Sequence, residues 1–278
     1  MKTDVVVIGG GPAGLFSADI AAKNGNKVIL IDKNDVLARK LRITGKGRCN
    51  VTNSADISDF IGMVCSNPHF MYSAFYSFTN QDLIDFFEKS GVPLKEERGG
   101  RIFPVSDSAK DIANALIRYA KDNGVVIIKD CVIKVIQENN NVTAVQTKTG
   151  KKIDCSRVIV ATGGASYPLF GSNGDGYKFA RNLGHTVVEP YPSLIPLLVK
   201  EEYVGDLQGL SLKNIAIKVF KEKKCVYEDF GEMIFTHYGL SGPVILSASS
   251  NLKNIESSNY KISIDLKPAL TKEQLDKR

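Results

Sequence analysis

Two hydrophobic textures divide the chain. Near its start, VVVI at 5–8 and KVILI at 27–31 are apolar without interruption, which predicts short strands of a parallel sheet buried on both faces. Between them Leu15, Ala18, Ala21 and Ala22 recur at helical spacing, and Gly25 stands where such a helix would end. Residues 55–123 read as mainly helical and loop-rich. NQDLIDFFEKSG at 80–91 offers Leu83, Ile84, Phe86 and Phe87 as a buried face closed by Gly91. Ser108 with Asp111 predicts an N-cap for the helix that closes at Gly124. EERGGRIFPVSD at 96–107 reads as a basic loop carrying Arg98 and Arg101, either an exposed turn or a cavity wall. From 125 to 164, strand runs alternate with NNN and TGKK turns, as in a small antiparallel meander, before VIVATGG returns to a buried strand.

Beyond about residue 190 the texture changes. Pro190, Pro192 and Pro196 mark a boundary, and LIPLLV, NIAIKVF and KISIDL predict short antiparallel strands. FTHYGLSGPVILSAS at 235–249 reads as strand, turn and helix. The expected organisation is therefore α/β, with a Rossmann-like domain over 1–190 and an incomplete, β-rich substrate or cap domain over 191–278. Thr271 to Gln274 forms a T-x-x-Q capping box for a helix, yet the chain stops four residues later at Arg278. We expect a C-terminally truncated chain whose first domain a further segment would complete.

The turn between the first two strands carries the chemistry. Gly9, Gly11 and Gly14 stand in G-x-G-x-x-G spacing, Pro12 can occupy the first helical turn, and Asp32 ends the second strand. Each has a task in dinucleotide binding: Gly9 makes the tight turn, Gly11 lets backbone approach a pyrophosphate, and Gly14 lets helix and strand pack closely. The helix N-terminus faces the anion, and Asp32 can accept hydrogen bonds from a ribose. A lone glycine fingerprint is weak, but here the full strand, helix, strand and acid are present. An acid at 32 argues against a 2′-phosphate on that ribose, leaving NAD or FAD.

KLRITGKGRCNVTN at 40–53 follows closely and fits neither a helix nor a strand. Gly45 and Gly47 break every period, and Lys40, Arg42, Lys46 and Arg48 load it with positive charge. It reads as a clasp over an anionic ligand. The totals agree: 278 residues, 43% apolar and 24% charged, with net charge +6, describe a globular, mildly basic protein. Its lysines are spread rather than clustered, which is weak support for nucleic acid as a partner. Five cysteines at 49, 65, 131, 155 and 225 show neither C-x-x-C nor metal-ligand spacing, so no metal site and reduced thiols in a cytoplasm are expected. No apolar run approaches a membrane span.

GGGPAG, RKLRITGKGRCNVTN, ATGGASYPLFGSNGDGYKFARNLGH and FTHYGLSGP together resemble the bacterial NAD(P)/FAD-dependent oxidoreductases of the 3-dehydro-bile-acid delta(4,6)-reductase type, some of them termed the aminoacetone oxidase family. The ATGG and GDG segments also resemble the wider fumarate-reductase-like flavoproteins. The resemblance implies a glutathione-reductase-like FAD domain with a β-meander over the adenine. It places the cofactor against Gly9, Gly11, Pro12, Ala13 and Gly14, with Asp32 and Lys33 beyond them. It adds Arg39, Lys40, Thr44, Gly45, Gly47, Arg48, Cys49 and Asn50 from the clasp. Backbone of Ile133 would meet the adenine, and Ala161, Thr162 and Gly163 would pass near the diphosphate. Asp175 would support the flavin loop, or simply cap its own helix.

The implied activity is that of an FAD-dependent oxidoreductase with NAD(P)H as transient electron donor and a small organic molecule, such as an enone, as acceptor. An amine or aminoketone oxidase using oxygen is the competing enzyme, and a flavoprotein of tRNA or nucleic-acid modification is the reading from another class. Catalytic groups are less legible. Cys49 could contact the flavin or be a buried thiol, and His237 and Tyr238 could donate protons or serve structure. Lys40 and Arg48 could neutralise the diphosphate or the flavin, or lie on a solvated basic surface.

Overall fold

The first strand, β1 (Val5–Ile8), is buried at all four positions because it is covered from both sides. Pro12 opens α1 (Pro12–Lys23) in the first turn, and β2 (Val28–Asp32) follows, equally buried. The chain then runs through β3 (Thr52–Asn53), α2 (Ile57–Gly62), α3 (Tyr72–Ser77) and α4 (Asn80–Lys89). Next come β4 (Leu94–Glu97), β5 (Arg101–Pro104), α5 (Ala109–Asp122) and β6 (Val126–Lys129). The first of two compact units, Met1–Val188, is completed by β7 (Val132–Glu138), β8 (Asn141–Thr147), β9 (Lys152–Asp154), β10 (Arg157–Val160) and α6 (Asp175–Asn182). The computed structural model describes residues 1–252, 255 and 259–277.

A four-stranded parallel sheet in the order β10-β1-β2-β6 forms the centre of this unit. Strand alternation explains its unbroken apolar runs. Val5, Val7, Val28 and Leu30 pack with Leu15, Ala18, Ile112 and Leu116 of α1 and α5. Val6, Ile8, Ile29 and Ile31 face the other way, onto Val132, Val135, Val145 and Ile153 of the antiparallel meander β7-β8-β9. Each alternate position thus has its own core, and the architecture is Rossmann-like α/β with added antiparallel sheets.

Three local expectations are corrected. The run at 126–129 is not part of the meander; it pairs with β2 as the edge of the parallel sheet, and the meander begins at Val132. The segment 96–107 is not a loop throughout: it holds the end of β4, an exposed turn at Gly99 and Gly100 with φ of +81° and +71°, and all of β5, which pairs back on β4 as a hairpin. That backbone is one glycine adopts without strain. Ser108 stands at the N-cap of α5 without a side-chain bond. Asp111, its expected partner, instead accepts from the Ser106 hydroxyl at 2.6 Å. The capping box is found at α4, where Thr79 Oγ1 accepts from the Asp82 amide (3.2 Å) and Asp82 Oδ2 accepts from the Thr79 amide (2.8 Å).

The second unit, Glu189–Arg278, contains β11 (Leu197–Leu198), β12 (Ser211–Lys221), β13 (Lys224–Thr236), β14 (Gly239–Ser241), α7 (Pro243–Asn251), β15 (Tyr260–Asp265) and α8 (Lys272–Asp276). Its strands pair antiparallel in the order β11-β14-β13-β12-β15. Val244, Ile245 and Ala248 of α7 pack on Ile215, Ile217 and Met233 of one sheet face. Gly231 permits this, since a Cβ there would stand 2.9 Å from Val244. Thr271 and Gln274 make the expected reciprocal cap of α8. Among the described residues no helix is long and apolar enough to cross a membrane.

The two caps predict contrasting effects. Thr79→Ala should destabilise the protein by about 1 kcal/mol, whereas Ser108→Ala should stay within about 0.5 kcal/mol, both read from urea unfolding. The amide and hydroxyl of Thr79 hold the Asp82 carboxyl below its usual range. That contribution is complete above the unfolded carboxylate pKa and is lost as pH falls through the folded one, so the Thr79→Ala deficit should shrink in acid.

Candidate dinucleotide site

A cavity of about 610 Å³ opens at the C-terminal ends of β1, β2 and β10. There the chain order reverses, β2 lying on one side of β1 and β10 on the other, the place where open parallel sheets bind ligands. Gly9 (φ +110°) turns the chain, and a Cβ on it would collide with the Ala161 carbonyl. A Cβ on Gly14 would collide with the Gly9 carbonyl. Gly11 is different: nothing lies within 4 Å of where its Cβ would stand, so its bare backbone fronts open space. The first bond of α1 runs from the Leu15 amide to the Gly11 carbonyl at 2.9 Å. The amides of Ala13 and Gly14 precede it in the unpaired first turn, where an anion is favoured.

Two carboxylates in the cavity are held by backbone. Asp32, 9% exposed, accepts from the Gly10 amide at Oδ2 (2.5 Å) and from the Asn34 amide at Oδ1 (2.6 Å). Each oxygen retains a lone pair for a further donor such as a ribose hydroxyl. Asp130, which the sequence did not single out, faces the cavity beside it and is 7% exposed. Burial pushes its carboxyl upward, but hydrogen bonds from Thr149, Thr147 and the Cys131 amide outweigh this and hold it below the usual range.

The mouth is crossed by contacts between two segments distant in sequence. Lys33 Nζ meets Asp175 Oδ2 at 2.7 Å and Asn173 Oδ1 at 2.8 Å. Lys40 Nζ donates to the Ser166 carbonyl at 2.8 Å and lies over the Tyr167 ring, while the Arg39 guanidinium lies over Phe170. Asp175 is not the helix cap: Gly174 (φ +79°) is, and Asp175 sits inside the first turn of α6 with its carboxylate on Lys33. Ala161, Thr162 and Gly163 line the opposite wall.

The basic segment divides. Arg39 and Lys40 face the cavity, but Thr44, Gly45, Gly47 and Arg48 do not line it. Arg48 is committed elsewhere: its guanidinium pairs with Glu97, meets Asp107 Oδ1 at 2.7 Å, and stacks on Phe103 at 4.3 Å. Arg48 thereby lowers the Glu97 carboxyl, while Lys95 and then Arg48 lower that of Asp107. The turns over Leu41–Gly47 are broken by left-handed residues at Gly45 and Lys46. A single smooth clasp is therefore absent; the segment is a strut braced against the β4-β5 hairpin.

Cys49 and Asn50 line a second, apolar cavity of about 290 Å³, shared with Phe16, Phe78 and Phe87 and touching the first through Pro12 and Ala13. Cys49 is 2% exposed, and burial raises its thiol, with only a partial offset from Thr44. It is a protonated buried thiol rather than an activated nucleophile. The Ile133 side chain is 51% exposed while its neighbour Val132 lines the cavity, since successive strand side chains face opposite ways; the role expected of Ile133 is a main-chain one and does not depend on that side chain. His237 and Tyr238 lie in the second unit, in the turn from β13 to β14, their rings edge-to-face at 4.3 Å.

Comparisons with known proteins agree with this geometry. A 31% identity over 276 residues links the chain to the ribosomal RNA dihydrouridine synthase of Escherichia coli, covering 98% of this chain and 67% of that one. The 3-dehydro-bile acid delta(4,6)-reductase of Clostridium scindens is 29% identical, over 98% of this chain and 66% of the relative. The chain thus spans about two thirds of the length of these relatives. Among solved structures, the open conformation of a flavocytochrome c3 fumarate reductase superposes with a TM-score of 0.52 at 20% identity, covering 80% of this chain and 53% of that one, and shares the fold. The HI0933-like protein Rossmann domain matches residues 3–245. With the glycine turn, the acid that ends β2 and the switch-point cavity all inside that span, the chain belongs to the HI0933-like family of FAD-binding Rossmann proteins.

Proposed function

We propose that this chain carries the cofactor site of an FAD-dependent reductase that takes electrons from NAD(P)H and reduces a carbon–carbon double bond conjugated to a carbonyl. The observation carrying the proposal is the cavity itself: open space at Gly11, the first turn of α1 at Pro12 and Ala13 on its wall, and Asp32 oriented by two amides. When bound, FAD supplies the hydride chemistry. The chain's own groups bind and orient it: the first turn of α1 for the diphosphate, Asp32 for the ribose, and Lys33 and Lys40 at the mouth. Cys49, buried and protonated, takes no covalent part.

The acceptor class follows from the names of the relatives. Dihydrouridine is uridine with its 5,6 double bond reduced, a bond conjugated to the 4-carbonyl, and the bile-acid substrate is a conjugated 3-ketone. Both reactions add a hydride and a proton across such a bond. Two ribosomal RNA dihydrouridine synthases, at 31% and 32% identity, favour an RNA uridine as substrate. The net charge of +6 is compatible with that partner.

Anaerobic NADH and NADPH titrations of the purified full-length protein should bleach the visible flavin band with at least one nucleotide. The reduced protein should then add two hydrogens to uridine in a ribosomal RNA transcript, read by mass spectrometry of nucleosides. Reduction of a conjugated steroid ketone alone would move the substrate to the bile-acid class. Peroxide formed from small amino ketones, with no bleaching by either nucleotide, would overturn the reductase reading.

The split of the basic segment predicts unequal effects on cofactor affinity. Lys40→Ala should weaken FAD binding about fivefold, the loss of one partly exposed ionic contact. Arg48→Ala should leave the affinity within about twofold, its lost partners being half-buried Glu97 and exposed Asp107, neither of which lines the cavity. Fluorescence quenching of FAD titrated into apoprotein measures both.

A further inference from the structure

The tip of the β12–β13 hairpin concentrates charge that the rest of its unit balances. Acidic and basic residues are equal in number over 189–278. At the tip the chain reads KEKK from Lys221 to Lys224, and residues 221–226 are exposed throughout. The antiparallel register sets Lys221 directly opposite Lys224 on one side and Tyr260 on the other, and it sets Lys261 of β15 opposite Phe220. The Lys221 ammonium lies over the Tyr260 ring at 5.7 Å.

Like charges opposed across a ladder destabilise it, and no acid relieves these. Among the described residues, none of Lys221, Lys223, Lys224 and Lys261 enters an ion pair. Further along the same hairpin the charges are matched. Lys218 stands opposite Glu228, with its ammonium 3.7 Å from the carboxylate. Asp229 accepts from the Tyr227 hydroxyl at 2.8 Å. The acid at the apex is Glu222, exposed and in the left-handed region with φ of +56°.

Unpaired cations at one tip favour a polyanion, because each phosphate they meet releases counterions. Lysine is a compact point charge, suited to phosphate rather than to a base edge. A lipid surface fits less well, since it rewards apolar residues beside the cations, and KEKK is charged at every position.

We propose that this tip is a docking surface for the phosphate backbone of RNA, holding the RNA independently of its sequence. The inference rests on the RNA-uridine reading above and adds to it a surface that belongs to the second unit.

The test compares two triple variants of the full-length holoenzyme that lose the same net charge. Lys221→Ala with Lys223→Ala and Lys224→Ala empties the tip. Lys200→Ala with Lys213→Ala and Lys267→Ala removes three lysines exposed elsewhere in the unit. Affinity for a ribosomal RNA transcript is measured by filter binding across a salt series. In the tip variant the slope of log affinity against log salt should become shallower by about 2, with binding about tenfold weaker at ~0.1 M salt. The control variant should keep its affinity within about twofold. Bleaching by NAD(P)H, which reports a folded first unit, should be unchanged in both. Equal losses in the two variants, or an unchanged slope in the tip variant, would overturn the proposal while RNA uridine is still reduced. Anionic phospholipid vesicles bound through the tip, with no RNA bound, would reassign it to a membrane and overturn the proposal. An unaltered protein that neither binds nor reduces the transcript would overturn the RNA reading and this proposal together.

Discussion

Where β1 ends, backbone meets backbone with no side chain between. The positions of Gly9 and Gly14 have no room for a Cβ, because the Ala161 and Gly9 carbonyls already occupy the space. This contact lets β1 pass directly into α1 beside β10, so that the unpaired amides of the helix arrive at the same point as the ends of three strands. Close packing of α1 on the sheet and an open floor for an anion are therefore one arrangement. Larger residues would lose both together, since the helix could not approach and the cavity would lose its shape.

Around that contact, the charged groups are oriented by protein partners. Asp32 is fixed by two amides, Asp130 by an amide and a hydroxyl, and Lys33 by Asp175. Such groups lose little freedom when a ligand arrives, and that economy favours affinity. The contacts at the mouth link the segment after β2 to the segment before α6, so both walls of the cavity are tied to each other. Arg48 serves a different end. Its pairing with Glu97 and Asp107 and its stacking on Phe103 brace the glycine-broken segment against the hairpin, leaving the cavity mouth to Lys33, Arg39 and Lys40.

Much of the first unit was legible in its residues. The buried strands, α1, the glycine turn and Asp32 follow from short-range pattern, and the same pattern placed the β-rich texture after residue 190. The misreadings have specific causes. The strand at 126–129 and the meander that follows share one β-branched composition, and only pairing with β2 separates them. The charged, glycine-containing composition of 96–107 concealed a hairpin whose sign was Gly99-Gly100. Asp130 carried one available signal, its place just past a strand that lies next to Asp32, but that adjacency exists only in the sheet.

By itself the sequence determined the elements and the nucleotide turn, because each depends on residues within a few tens of positions and on backbone preferences that act locally. Tertiary structure alone decided which charged side chains serve the cavity. Lysine and arginine heads go where partners hold them, and those partners lie far off: Glu97 and Asp107 are 49 and 59 positions from Arg48, and Ser166 is 126 from Lys40. Charge along a chain announces an anion; the fold assigns which cations remain to meet it.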